Sequence, residues 1–348
     1  MIDEVLKKYG LEKEPVTILP LTQGLINTTW KVSVDGSSYI LQKINDQVFK
    51  RPVDITENIS LLAEYLQKND PEYFFVAPIK TIDQLSLVYI KEHGYYRLFP
   101  FVKESHAKEA VGTQEQAYEA ARQFGKFTKV LSGVDASKLK TTIPFFHDLT
   151  LRYTQFQEAL KTGNTERIAQ AKNYIEQVQQ FSWIAEKFEQ IKTNPEFKLR
   201  VTHHDTKISN VLFDKNDKGI CVIDLDTVMP GYFISDVGDM MRTYLSPVNE
   251  EEKDFEKIEV RNDFYKAIME GYLSEMDSEL TNSEKESFFY AGTFMIYMQA
   301  LRFLTDYLND DKYYGEKYPG HNLIRAGNQL VLLQRLIEKE DSLTSLNK

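Results

Sequence analysis

Residues 201–230 constrain this chain more than any other stretch. They read Val201-Thr202-His203-His204-Asp205-Thr206-Lys207-Ile208-Ser209-Asn210-Val211-Leu212-Phe213-Asp214, and then, from 221, Cys221-Val222-Ile223-Asp224-Leu225-Asp226. A polar cluster sits between short apolar runs, the pattern of a loop joining brief buried strands. Loops of this kind often carry His, Asp, Asn and Thr merely as turn formers and caps. Asp224 and Asp226 argue for more than that. They follow the apolar run 220–223, where a purely structural strand gains nothing from two carboxylates. Like charges this close repel unless a cation or donor lies between them.

The order His203, Asp205, Asn210, Asp224 is the set that phosphoryl transfer requires. One Asp orients the acceptor hydroxyl or takes its proton, an Asn five residues later holds a metal, and an Asp on the next strand holds Mg²⁺ on the nucleotide phosphates. Asp205 is therefore the candidate general base or hydroxyl-orienting residue, and Asn210 and Asp224 are the candidate metal ligands. A neutral carbonyl oxygen and a carboxylate suit a hard cation. His203 reads as a structural histidine that holds the loop. Lys207 either contacts the γ-phosphate or faces solvent. Asp226 is a second metal ligand or a contact to the acceptor.

These residues resemble the catalytic region of the aminoglycoside/choline phosphotransferase branch of the protein-kinase-like fold, with its H-x-D-x-x-x-x-N motif. The resemblance narrows to the N-acetylhexosamine 1-kinases through Gly24-Leu25-Ile26-Asn27-Thr28-Thr29, the segment 39–45, and Arg97-Leu98-Phe99-Pro100-Phe101. It continues through His204-Asp205-Thr206-Lys207, the segment 223–231, and 299–308, so it covers nearly the whole chain. It implies an α+β, two-lobed protein-kinase-like fold, with a β-rich small lobe over residues 1–102 and a mostly helical large lobe over 103–348. It also implies ATP and Mg²⁺ as cofactors and a free N-acetylhexosamine as acceptor, phosphorylated on its anomeric hydroxyl. Another small hydroxylated acceptor (choline, an aminoglycoside, homoserine, methylthioribose) and a catalytically inactive kinase-like binding module stay open as alternatives.

Composition narrows the field in the same direction. At 348 residues the chain can build two cores, and 42% hydrophobic with 27% charged residues is the balance of a water-soluble globular protein. A formal charge of −10 argues against a nucleic-acid partner, which would need a basic face. No apolar run approaches the roughly 20 residues of a membrane span. Cys221 is the single cysteine, and the charged N-terminal segment has no signal-peptide core, so a cytoplasmic setting is expected. Nothing in the sequence implies a protein partner.

The first hundred residues read as strands with turns: 16–21, then 28–34 and 39–44 around the hairpin signal Asp35-Gly36. A helix is expected over 52–69, with Ile55, Ile59, Leu62 and Leu66 on one face, followed by strands over 85–90 and 95–102. Beyond 102 the pattern turns helical, with amphipathic helices over 113–133 and 148–192, an acidic surface stretch over 249–254, an apolar helix over 288–308 and a frayed polar tail from 338.

On the nucleotide side, Gly24 permits close backbone approach to phosphates, and Asn27 and Thr28 could add donors, although an ordinary hairpin turn would use the same residues. Strand 39–43 offers Lys43 as the phosphate-binding lysine, with Glu57 as its helix partner. A simple register alignment puts Gln42 there instead, and neighbours on a strand face opposite ways. The alternative is a solvated Lys43 with a surface Glu57. Phe99 and Phe101 are candidate adenine contacts or lobe-junction core residues. Asp236, Asp239 and Arg242 read as a buried bracing network. Arg302, on an apolar helix, pairs with Asp306 one turn on or reaches the acceptor sugar.

Overall fold

The computed structural model describes residues 1–12, 15–21 and 26–345. They form two compact units. The first comprises Met1–Ala107, Val130–Pro144 and Val211–Pro230, and the second comprises Lys108–Lys129, Phe145–Asn210 and Gly231–Lys348. The boundary expected at 102 lies close to the end of the first segment. The chain returns to that unit twice more, for reasons given below.

The first unit is built on five antiparallel strands: β1 (Val16–Leu21), β2 (Thr28–Val34), β3 (Ser37–Lys43), β4 (Val88–Ile90) and β5 (Gly94–Pro100), in the order β1-β2-β3-β5-β4. Asp35 and Gly36 both have positive φ, 49° and 75°, which gives the tight β2–β3 turn the twist its strands need. Alternation then assigns the two sheet faces. Val32, Val34, Leu41, Tyr96 and Leu98 point one way and pack with Val5 and Leu6 of helix α1 (Ile2–Lys8). Thr29, Gln42 and Arg97 lie side by side on the other face, because Thr29 pairs with Gln42 and Gln42 with Arg97.

Helix α2 (Pro52–Asn69) starts on a proline at its first turn and buries Ile55, Ile59, Leu62 and Leu66. Its Asn58 explains the first return of the chain. The carboxamide accepts from Lys140 N at 2.7 Å and donates to Lys140 O at 2.8 Å and Val228 O at 3.0 Å. The second return is the hairpin Val211–Phe213 with Gly219–Val222, tied to His106 by paired backbone bonds at 2.9 Å. Burial pushes the Cys221 thiol of that hairpin up to about 12, so it stays protonated.

The second unit is helical around Phe288–Leu308, in which all residues but Arg302 and Thr305 are buried. A helix apolar on every side belongs at the centre of a bundle. Phe233–Tyr244 and His321–Glu338 pack on it. A Cβ at Gly238 would lie 2.3 Å from Ala291 O, so glycine sets how closely the first of these crosses. The helical stretch expected over 148–192 is instead four helices, Leu149–Thr162, Thr165–Gln170, Lys172–Gln180 and Trp183–Thr193. Asn164 caps the second of these through its side chain, which ends the continuous pattern. Glu250, expected at the surface, is held between Arg242 and Arg325. The expected frayed tail carries a further helix, Glu340–Thr344, with Leu343 fully buried. Among the described residues no helix is long and apolar enough to cross a membrane.

Candidate active site

In the second unit the loop from His203 to Asn210 joins the strand Arg200–Thr202 to the short 3-10 turn Ile208–Asn210. The Phe233–Tyr244 helix braces it through carboxylates that capture backbone N–H groups. Asp236 accepts from His203 N at 3.0 Å and His204 N at 2.7 Å, and Asp239 accepts from Thr206 N at 2.8 Å. Arg242 donates to the other Asp239 oxygen through Nε at 3.1 Å and Nη2 at 3.0 Å, and through Nη1 to Glu250 at 2.7 Å. Tyr244 closes the frame by donating to Thr206 O at 2.6 Å.

Burial pushes the Asp236 carboxyl up to about 7, against the pull of the two N–H donors. Asp239 is also raised by burial, with Arg242 opposing. Burial alone would lower Arg242, but Asp239 and Glu250 more than reverse it and hold the guanidinium charged.

His203 is buried edge-on to Phe124 and Phe127, at 5.2 and 5.8 Å between ring centres, and its Nδ1 accepts from Asp205 N at 3.3 Å. The Asp205 side chain keeps 27% of its surface exposed, and Lys207 Nζ lies 3.0 Å from its Oδ2. Asn210 donates its amide nitrogen to Asp205 O at 2.9 Å. That leaves the amide oxygen as the end able to meet a cation.

Arg302 does not pair with Asp306, whose carboxylate instead accepts from Tyr313 N at 2.7 Å and Tyr314 N at 2.8 Å. Arg302 donates to Gln299 at 3.2 Å and packs its guanidinium near the rings of Phe146, Tyr313 and Tyr314, 5.4 to 5.8 Å away. It lines a cavity of about 370 Å³ with Arg152, Glu158, Asp306, Tyr313 and Tyr314.

In the first unit Asp224 has a left-handed backbone, φ 61°, and an exposed side chain at the start of the 3-10 turn Leu225–Thr227. Asp226, two residues on, is 2% exposed. It is paired with Arg97 and accepts from Asn27 Nδ2 at 2.7 Å. Gln42 orients the guanidinium, its Oε1 accepting from Arg97 Nε at 3.1 Å and Nη2 at 2.9 Å. The repulsion expected between Asp224 and Asp226 is thus relieved by a buried arginine. Asn27 is further fixed by accepting from Asn45 N at 3.0 Å.

Other sequence-selected residues fall elsewhere. Lys43 occupies the sheet face opposite Gln42 and Arg97, with its Cε toward Gly94, and Glu57 is exposed on α2. Among the described residues no ion pair joins Lys43 to Glu57. The expected pair fails because strand alternation turns Gln42, not Lys43, toward Asp226. Thr28 is exposed at the start of β2. Phe99 lies 5.0 Å from the Arg97 guanidinium, and Lys31 Nζ sits 4.0 Å from the Phe101 ring. Gly24 lies outside the described residues. Sequence reading missed the Arg97–Gln42 pair. Its signal was an arginine inside the otherwise apolar and aromatic strand 95–101.

Among the described residues no three or more His, Cys, Asp or Glu side chains gather as a metal centre. A Mg²⁺ held largely by nucleotide phosphates and water needs only one or two protein oxygens. The exposed Asp224 carboxylate and the Asn210 amide oxygen are donors of that kind.

The family model described as "Phosphotransferase enzyme family" matches residues 17–274. Among solved structures, a microcompartment-associated aminopropanol kinase is 14% identical with a TM-score of 0.68, covering 99% of this chain and 98% of its own. A spectinomycin phosphotransferase, in complex with ADP and spectinomycin, is 15% identical with a TM-score of 0.61 over 97% of both chains. A choline kinase from Cryptosporidium parvum is 15% identical with a TM-score of 0.59, covering 99% and 96%. At these identities the likeness shows the fold, which is protein-kinase-like, with a five-stranded sheet in one unit and helices in the other.

Proposed function

Because the chain belongs to the phosphotransferase enzyme family, we propose that it transfers the γ-phosphoryl of ATP to the anomeric hydroxyl of a free N-acetylhexosamine, in a cytoplasmic setting. Asp205 orients the acceptor hydroxyl and takes its proton. In a loose transition state, placing that oxygen in line matters more than deprotonating it fully. Asn210 and Asp224 are the ligands of Mg²⁺, which when bound neutralises charge on the transferring phosphates. Lys207 is close enough to Asp205 to share its charge between that carboxylate and the incoming phosphoryl group. Gly24, Asn27, Thr28, Phe99 and Phe101 belong to the nucleotide side. Asp226 is spoken for by Arg97 and Asn27, so its part is to hold the Asp224 turn.

The observation that carries the sugar reading is Arg302. It sits beside the cavity with a second arginine, Arg152, and the aromatic rings around it are already occupied by its own guanidinium. Of the two carboxylates on the cavity, Asp306 is already taken by the Tyr313 and Tyr314 N–H groups, so a quaternary or primary ammonium acceptor meets Glu158 beside two arginines and no vacant aromatic cage. An uncharged polyol with an amide carbonyl instead finds donors. One- and two-dimensional ³¹P NMR with ATP, Mg²⁺ and a panel of acceptors tests this. N-acetylglucosamine and N-acetylgalactosamine are both expected to give a 1-phosphate, with weaker use of glucose and galactose. Phosphate appearing on choline, aminopropanol or a primary hydroxyl would sink the sugar reading. Asp205→Asn should lower kcat by at least ~10²-fold with substrate binding kept, the scale of losing a positioned acid/base group. Unchanged turnover would move the role to another residue.

A further inference from the structure

His204 occupies a conformation its side chain does not favour. Its φ is 66°, in the left-handed region that costs a residue with a Cβ about 1 kcal/mol or more. Asp205 is the next residue, so the backbone angle at His204 sets the direction in which Asp205 leaves the loop. Strain of this kind persists only where the surroundings over-determine it.

The surroundings are specific. A Cβ on Gly231 would lie 2.4 Å from His204 Cε1 and 2.6 Å from Nε2, so the ring fits only against a glycine. On another side, Ser235 Oγ lies 3.0 Å from His204 Nδ1 and is also hydrogen-bonded to His147 Nδ1. The two Nδ1 atoms are 3.3 Å apart, and the rings meet edge-on at 68°. Phe146 stacks on His147, 4.3 Å between centres at 16°, and meets His204 edge-on at 6.4 Å. None of these side chains has a part in the reaction proposed above.

We infer that His147 and Ser235 are positioning residues that lock His204 in its left-handed conformation and so aim Asp205, and that the lock holds only while the imidazole whose Nδ1 accepts is neutral. The inference rests on the role given to Asp205. A hydroxyl has one proton to donate and lone pairs to accept. Ser235 therefore donates to one Nδ1 and accepts an N–H from the other, one imidazole carrying its proton on Nδ1 and its neighbour on Nε2. A further proton on the ring whose Nδ1 accepts puts N–H groups on both Nδ1 atoms, 3.3 Å apart, and turns the serine proton away.

The groups acting on His147 oppose that extra charge. They are His204 from the loop, Arg302 from Phe288–Leu308, Arg242 from Phe233–Tyr244 and Arg152 from Leu149–Thr162. The nearby Asp236 carboxylate is turned to the His203 and His204 N–H groups instead. Burial first, and these neighbours next, hold the His147 imidazole well below the ordinary histidine range.

Steady-state kinetics with N-acetylglucosamine and ATP, together with long-range ¹H–¹⁵N NMR of the histidine rings, test the lock on the full chain. His147→Phe keeps a ring but no Nδ1, Ser235→Ala removes the hydroxyl, and His147→Asn restores a donor near Nδ1 that cannot become charged. The first two should each lower kcat by roughly 10- to 10²-fold with both KM values within about twofold, as expected for a misaimed catalytic group. His147→Asn should recover most of that loss. It should also lack the acid-side fall in kcat expected of the wild type, which lies below the ordinary histidine range because His147 resists protonation. At pH 7 the NMR should show two neutral rings of opposite tautomer, a readout that needs no acceptor. Were the sugar not phosphorylated while the rings behave as described, the acceptor would be wrong and the lock right, its kinetics then being read on ATP hydrolysis by water. Wild-type kcat and pH profile in both His147→Phe and Ser235→Ala, or a charged ring at pH 7, overturns the lock.

Discussion

Two turns in this molecule solve the same backbone problem with opposite chemistry. His204 and Asp224 both have left-handed φ, 66° and 61°, and each sets the direction of a carboxylate assigned to phosphoryl transfer. Around His204 the anchors are carboxylates that accept main-chain N–H groups, so what is fixed is the path of the backbone. Around Asp224 the anchor is a cation from β5 that grips a side chain two residues on. The first arrangement rests on the two aspartates of the helix Phe233–Tyr244 and on the packing of the His204 ring. The second depends on one buried ion pair, and a buried pair broken on one side is expensive.

The largest expected effect separates the turns by what they hold. Asp224→Ala should abolish turnover at every Mg²⁺ concentration, because it removes the charged ligand that suits the cation. Asn210→Ala removes a neutral oxygen and should be partly rescued by excess Mg²⁺. A metal titration of kcat for both variants checks the pair. Full rescue of Asp224→Ala alongside a dead Asn210→Ala would reverse the weights given to them.

A smaller effect tests the ion pair itself. Arg97→Met leaves Asp226 buried without its cation and should cost about 3–5 kcal/mol in urea or thermal unfolding. Arg97→Met combined with Asp226→Leu should regain most of it, since removing both charges can be close to neutral. Lys43→Met, on the opposite sheet face, should stay within about 0.5 kcal/mol of the wild type. A double variant as unstable as the single one would show that Arg97 acts through something other than Asp226.

The two turns also differed in how far they could be read from the sequence. The spacing His203, Asp205, Asn210, Asp224 pointed to phosphoryl transfer because each residue type has a separate chemical duty there. The bracing by Asp236, Asp239 and Arg242 was legible for a similar reason, as charges in an apolar stretch must find partners. Strand alternation showed that only one of Gln42 and Lys43 could enter the site, but not which. That choice rests on a register across three strands, Thr29–Gln42–Arg97, which no local pattern encodes. The cation required between Asp224 and Asp226 was likewise foreseeable as a need and not as Arg97, 129 positions away from Asp226. The His147–Ser235–His204 cluster left no mark, since two loop histidines and a serine in the first turn of a helix are ordinary and its cause is a backbone angle.

The smallest expected effect is a pH dependence that belongs to the loop framework. Asp236 has a folded-state value of about 7, above the ordinary carboxylate value near 4, because burial favours its neutral form. The native state therefore holds a proton that the unfolded chain releases. By linkage, this stabilisation is fully present below about pH 4 and is lost as pH rises through about 7. His147 works the other way. Its imidazole is kept neutral by burial and by neighbouring cations, so the unfolded chain binds the extra proton and stability falls as pH drops below about 6.5. Thermal unfolding between pH 5 and 8 on wild type, Asp236→Asn and His147→Asn separates the two. Asp236→Asn should lose the decline toward high pH, and His147→Asn the decline toward low pH. If Asp236→Asn keeps the high-pH decline, the loop is anchored by an ionised carboxylate throughout, and the two turns would differ in geometry but not in their response to pH.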